Sequence, residues 1–178
     1  MKVLLPIFMA LLLQGSGNVE VTTLSFDAKG FRESFNAAAD QPRVVGVFSP
    51  TCGHCLQACS ELQQILKEKP EARLKVFLLW APFMNRDTLN LAQRAAGYLP
   101  DHRVEHYWDL WKYAARVYQE QLKIPKGNAW DMYVFYKPHL TWQESLPEPT
   151  FWLQNRSLDV GTPYSQENLK TGLEEWID

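Results

Sequence analysis

Residues 44–65 read VVGVFSPTCGHCLQACSELQQI. The opening VVGVFS is a short apolar run of the kind a buried strand makes. Pro50-Thr51 then turns the chain, and from Gly53 onward Leu56, Cys59, Leu62, Ile65 and Leu66 recur at helical spacing. Pro70, which lacks an amide hydrogen and restricts the residue before it, stops that helix. Where strand gives way to helix stands Cys52-Gly53-His54-Cys55. A spacing of three puts both sulfurs on one face of the first helical turn, close enough to close a disulfide. Cys52 falls at the helix N-terminus, where unpaired amide hydrogens and the dipole stabilise a thiolate. Thiols so placed fall from a pKa of about 8.5 to roughly 3.5–7.5, which makes Cys52 the expected nucleophile. Cys55, one turn deeper, is then the thiol that resolves a mixed disulfide. Gly53 lets the backbone turn tightly. His54, when protonated, adds a positive charge beside the thiolate and makes the disulfide more oxidising.

Outward from this segment, strands and helices alternate. Residues 19–24 make a weak strand, and Asp27 can cap a helix carrying Phe31 and Phe35 on one face. LKVFLLW (74–80) is a second buried strand, and residues 87–99 read as a helix ended by Pro100. Residues 104–108 suit a short strand, and residues 110–122 a helix with Trp111, Ala114, Ala115, Tyr118 and Leu122 on one face. MYVFY (132–136) is the strongest strand signal, with Lys137-Pro138-His139 a hairpin turn into Leu140-Thr141-Trp142. A last helix from Ser165 buries Leu169, Leu173, Trp176 and Ile177. The order predicts one α/β domain with a central mixed sheet flanked by helices and an enlarged middle region.

The chain has 178 residues with a formal net charge of -2, enough for one real core and too few for two full domains. Near-neutral charge gives no electrostatic footprint for nucleic acid or an anionic membrane. Met1-Lys2, an apolar run over residues 3–13, and Gln14-Gly15-Ser16-Gly17 follow the order of a secretory signal. Residues 1–17 are expected to be that signal peptide and residues 18–178 the domain, secreted or periplasmic, where disulfides persist. No stretch is long enough for a membrane span. No phosphate-binding glycine loop occurs, so no organic cofactor is expected.

The segment at 44–65 resembles the thioredoxin superfamily, particularly exported bacterial thioredoxin-like proteins, and CGHC is also the tetrapeptide of protein disulfide isomerase domains. The resemblance implies a thioredoxin-like fold and an enzyme that exchanges disulfides with protein thiols through Cys52 and Cys55. A redox partner would recycle the pair. CGHC favours a more oxidising couple than thioredoxin's at about -270 mV, nearer the isomerase value of about -180 mV. Three departures stand out. The family's buried acid six residues before the first Cys is replaced by Gly46, and its aromatic just before the motif by Thr51. Its cis-proline before the third core strand is missing from Ala129-Trp130-Asp131 if MYVFY is that strand. If Phe151-Trp152-Leu153 is that strand instead, Pro149-Thr150 supplies it. The stronger strand character of MYVFY favours the first register, and Pro149 stays a candidate substrate contact alongside Gly53 and Trp130.

A CxxC pair is also half a zinc site, but two further ligands are needed and Cys59 is the only other cysteine, so no metal is expected. Cys59, in the helix's apolar stripe, reads first as core. The alternative pairs Cys55 with Cys59 as a CxxxC resembling thioredoxin-fold copper chaperones, with His102, His106 or His139 as the distant ligand. His102 and His106 lie on a strand-like segment, which predicts surface or half-buried histidines rather than a metal pair. Trp80 and the Trp108-Asp109 and Trp130-Asp131 pairs end strands near the expected active edge. Most of these aromatics should be core, with one or two left to grip a partner.

Overall fold

A computed structural model describes residues 19–177. In chain order the elements are β1 (Val21–Thr23), α1 (Lys29–Ala37), β2 (Arg43–Phe48), α2 (Gly53–Glu68), β3 (Lys75–Trp80) and α3 (Leu89–Ala96). There follow β4 (Val104–Trp108), α4 (Tyr113–Gln121), β5 (Met132–Tyr136), β6 (Phe151–Gln154), β7 (Thr162–Pro163) and α5 (Gln166–Ile177). The strands make one seven-stranded sheet in the order β1-β4-β3-β2-β5-β6-β7. β1, β4, β3 and β2 run parallel, β5 is antiparallel to β2 and to β6, and β6 is parallel to β7. The sheet is therefore mixed, and MYVFY is the strand beside β2. The expected signal peptide lies outside the described residues. Among the described residues no helix is long and apolar enough to cross a membrane.

Strand alternation sorts the core into two layers. Val44 and Phe48 of β2 face Cys55, Cys59, Leu62 and Leu66 of α2, Ala92 and Ala96 of α3, and Leu169 and Leu173 of α5. Val45 and Val47 face the other way, toward Phe31 and Phe35 of α1 and Ala114 and Tyr118 of α4. Every residue of β2 and of β5 is buried, as strands covered by helices on both faces must be. Gly46 sits mid-strand opposite Tyr133. A Cβ built there would stand 2.5 Å from Leu78 Cδ2 and 3.2 Å from Tyr133 Cε1, so its neighbours already fill the space a side chain would need.

Several local expectations shift. Helix α1 begins one residue later than an Asp27 cap implies. Ala28 takes the cap position at φ 51°, while the Asp27 carboxylate still accepts the Lys29 amide at 3.2 Å. Helix α3 starts after Thr88, whose hydroxyl caps Leu91, and α4 starts after Lys112 at φ 52°, leaving Trp111 outside it. Leu140-Thr141-Trp142 does not return as a strand. Its backbone is claimed by side chains instead, with Asn36 exchanging two hydrogen bonds with Trp142 and Arg43 donating to the Leu140 carbonyl. The strand antiparallel to β5 on its outer side is β6, and residues 137–150 form the connection. His106 is buried in β4 rather than at the surface or half-buried, while His102 is exposed as expected. Leu169 and Leu173 are buried in α5, and the side chains of Trp176 and Ile177 lie outside what is described.

Candidate active site

The carboxyl ends of β2 and β3 and the start of β5 converge at one edge, where Phe48 pairs with Trp80 and Val47 with Met132. Chain leaving β2 passes through Ser49, Pro50 and Thr51 and enters α2 with Cys52 as its N-cap. The Cys52 amide bonds to the Ser49 carbonyl at 3.3 Å, and Cys52 Sγ accepts the Cys55 amide at 3.4 Å, closing the first turn. Neither sulfur is bonded to another. Cys52 retains 9% exposure and Cys55 none, so only the first thiol can meet an incoming partner. Gly53 and His54 lie exposed on the same first turn.

The environment separates the two thiols. A hydrogen bond from Cys55, ahead of the Cys55 and His54 amides, draws the Cys52 thiol down to about 6, with burial opposing. Burial pushes Cys55 far up, and the Cys52 thiol and the nearby Asp131 carboxylate reinforce that. The helix-start placement read from sequence is thus present, but the largest lowering of Cys52 comes from its mate.

The sequence reading does not single out Asp131, although it puts the Trp130-Asp131 pair at the expected active edge. It precedes β5, its amide bonded to the Val47 carbonyl at 2.8 Å and its carbonyl accepting the Asn155 amide at 3.0 Å. With φ 55° it adopts a left-handed conformation that Asp tolerates better than most residues. This turns the carboxylate onto the thiols: Oδ1 accepts from Cys55 Sγ at 3.4 Å, and Oδ2 stands 4.0 Å from Cys52 Sγ. Burial raises its pKa above the usual carboxylate range, against the Cys55 hydrogen bond. An acid is therefore present beside Cys55, supplied by the loop before β5 rather than by the packed Gly46 position.

A second carboxylate fixes the approach to Cys52. Asp87 Oδ1 accepts from Thr51 Oγ1 at 2.6 Å and Ser49 Oγ at 3.0 Å, while Oδ2 accepts the Met84 amide at 2.8 Å. It clasps the turn before α2 to residues 81–87. Trp130, half-buried beside Asp131, stacks on Phe83 at 5.2 Å, with the Arg156 guanidinium 4.3 Å from its ring.

Pro149 does not join this group. It leads into β6 where Phe151 pairs with Phe135, at the opposite end of β5 from Asp131, because an antiparallel strand begins where its neighbour finishes. No peptide bond among the described residues is cis. The histidines weighed for copper are not brought to Cys55 and Cys59 either. His106 is locked between Trp80 Nε1 at 3.2 Å and the Leu99 carbonyl at 3.0 Å, and burial lowers it to about 4. His102 lies before β4 and His139 after β5, both at the far end of the sheet. Cys59 is wholly buried in the core, its thiol raised by burial.

No family model and no curated protein matches this sequence. Among solved structures, the chain is similar to a secreted Mycobacterium tuberculosis disulfide oxidoreductase homologous to E. coli DsbE, at 16% identity and a TM-score of 0.50, covering 78% of this chain and 84% of that one. It is also similar to a thioredoxin-like protein solved in its oxidised form, at 13% identity and a TM-score of 0.51, covering 89% and 84%. Sheet order, the helix opening on a CxxC pair and these likenesses agree: this chain has the thioredoxin-like fold.

Proposed function

We propose that this protein is an exported thiol–disulfide oxidoreductase acting on protein thiols and disulfides through Cys52 and Cys55. The observation that carries the reading is the asymmetric pair: a Cys52 sulfur at the helix mouth accepting the Cys55 amide, and a sealed Cys55 sulfur 3.4 Å from a carboxylate. The basic-then-apolar start of the chain supports export.

In the reducing direction, the Cys52 thiolate attacks one sulfur of a substrate disulfide. A Cys52–substrate S–S bond forms, the substrate S–S bond breaks, and the leaving sulfur departs as a thiolate that takes a proton from water. Cys55 then gives its proton to Asp131 Oδ1, and its thiolate attacks Cys52 Sγ. The intramolecular disulfide closes and the second substrate sulfur leaves, so two electrons have passed from the pair to the substrate. The same steps reversed oxidise a substrate dithiol, and a separate redox partner restores the starting state. Trp130 is half-buried at this edge with Phe83 stacked on its ring and the Arg156 guanidinium over it, so its faces are already occupied.

The test is alkylation of the reduced, folded protein, with turnover measured on insulin or glutathione disulfide. Cys52 should alkylate with a midpoint near pH 6 while Cys55 stays protected until unfolding. Cys52→Ser should abolish exchange. A Cys52 that reacts no faster than a free thiol, together with turnover that survives its replacement, would overturn the reading.

A further inference from the structure

Cysteine counting leaves CxxC without partners for a metal, but the fold supplies two that are not cysteines. The ligand atoms of Cys52, His54 and Asp131 all lie within 4.8 Å of one another. The Cys55 amide bonds to Cys52 Sγ at 3.4 Å, and Cys55 Sγ stands 3.4 Å from Asp131 Oδ1. The mutually close donors are thus one sulfur, one imidazole nitrogen and one carboxylate, with the Cys55 sulfur adjoining the set on the Asp131 side. Zinc takes such sets tetrahedrally, with bonds of about 2.0–2.3 Å that place neighbouring sulfur and oxygen ligands about 3.5 Å apart. Here Cys55 Sγ stands 3.4 Å from Asp131 Oδ1 and Cys52 Sγ 4.0 Å from Oδ2, so each carboxylate oxygen faces one sulfur.

The scaffold is also suitable. Cys52, His54 and Cys55 are fixed by the first turn of α2, and Asp131 is pinned by backbone bonds on both sides. A site held on rigid elements keeps its ligands in place without the ion. His54 is exposed, so an ion can enter from solvent on that side, while Cys55 and Asp131 close the inner side. Cys59, though nearby in sequence, is turned into the core and takes no part.

We propose that the reduced protein binds one zinc ion through Cys52, His54, Cys55 and Asp131, and that the disulfide form does not. Binding sequesters both thiols, so zinc and disulfide exclude each other. The proposal uses the same site as the oxidoreductase reading but does not need turnover to be true.

The test uses the full mature protein, reduced and freed of metal, titrated with cobalt(II) and then displaced with zinc(II). Cobalt should give a thiolate-to-metal charge-transfer band at one equivalent, lost on zinc addition and absent from the disulfide form. His54→Ala, an exposed change that spares the core, should weaken zinc binding at least about 10-fold, and Asp131→Asn should do the same. If turnover is present, zinc should suppress it and a chelator restore it. No charge-transfer band with the reduced protein, or unchanged zinc affinity in either variant, overturns the proposal, whereas loss of turnover alone would bear only on the enzyme reading.

Discussion

Asp131 carries two opposing consequences at the scale of a single residue. Its carboxylate is positioned to take the Cys55 proton, so Asp131→Asn should slow resolution of the mixed disulfide by about 100-fold, a normal magnitude for a lost general base. Trapping should show the Cys52-linked intermediate accumulating. The same burial that raises its pKa makes it a cost to the fold. A carboxyl whose folded pKa lies above its unfolded value binds protons more tightly in the native state, so stability falls as pH rises through that window. Asp131→Asn should therefore be more stable than the parent at neutral pH, with the advantage vanishing in acid. Denaturant melts of the two proteins at both pH values check this, and equal stability at neutral pH would count against a destabilising carboxylate. The Cys52 thiol works in the other sense. Its pKa is depressed to about 6, so its contribution to the reduced protein is present above the unfolded thiol's pKa and lost as pH falls toward 6.

Elements decide why the acid is where it is. In β2, Gly46 is the position whose side chain would point toward α2, and Tyr133 and Leu78 occupy that space. The Tyr133 hydroxyl donates to the Ala58 carbonyl at 3.1 Å, tying β5 to α2 behind the cysteines. Gly46→Ala should cost about 1–3 kcal/mol through overpacking, measured by urea unfolding. A neutral result would mean that Leu78 swings aside freely. The strand at VVGVFS, the helix from Gly53 to about Lys67 and its stop at Pro70 are all legible in the sequence, because period and punctuation are local properties. The hairpin expected at Leu140-Thr141-Trp142 does not form, because its backbone partners, Asn36 and Arg43, come from distant chain.

Across the whole molecule, the sheet keeps two ends with different work. One edge gathers the thiols, Asp131 and Asp87. At the other, Arg43 is fully buried, donates to the Phe35, Leu140 and Lys137 carbonyls, and lies 4.3 Å from the Phe35 ring. Arg43→Leu should cost about 3 kcal/mol by leaving those carbonyls unsatisfied. It should leave the pH profile of Cys52 alkylation unmoved, since β2 spans the distance between the two ends. A shifted profile would show that the far connection, residues 137–150, is coupled to the site.

What the sequence settled by itself was the strand–turn–helix that sets Cys52 at a helix mouth and Cys55 behind it, because spacing, caps and breakers act between neighbours. The order of strands, the burial that splits the two thiols, and the Asp131 carboxylate beside them came from tertiary structure alone. Residues 52 and 131 meet only because β5 pairs against β2, and no local pattern in the chain encodes a contact made across a sheet.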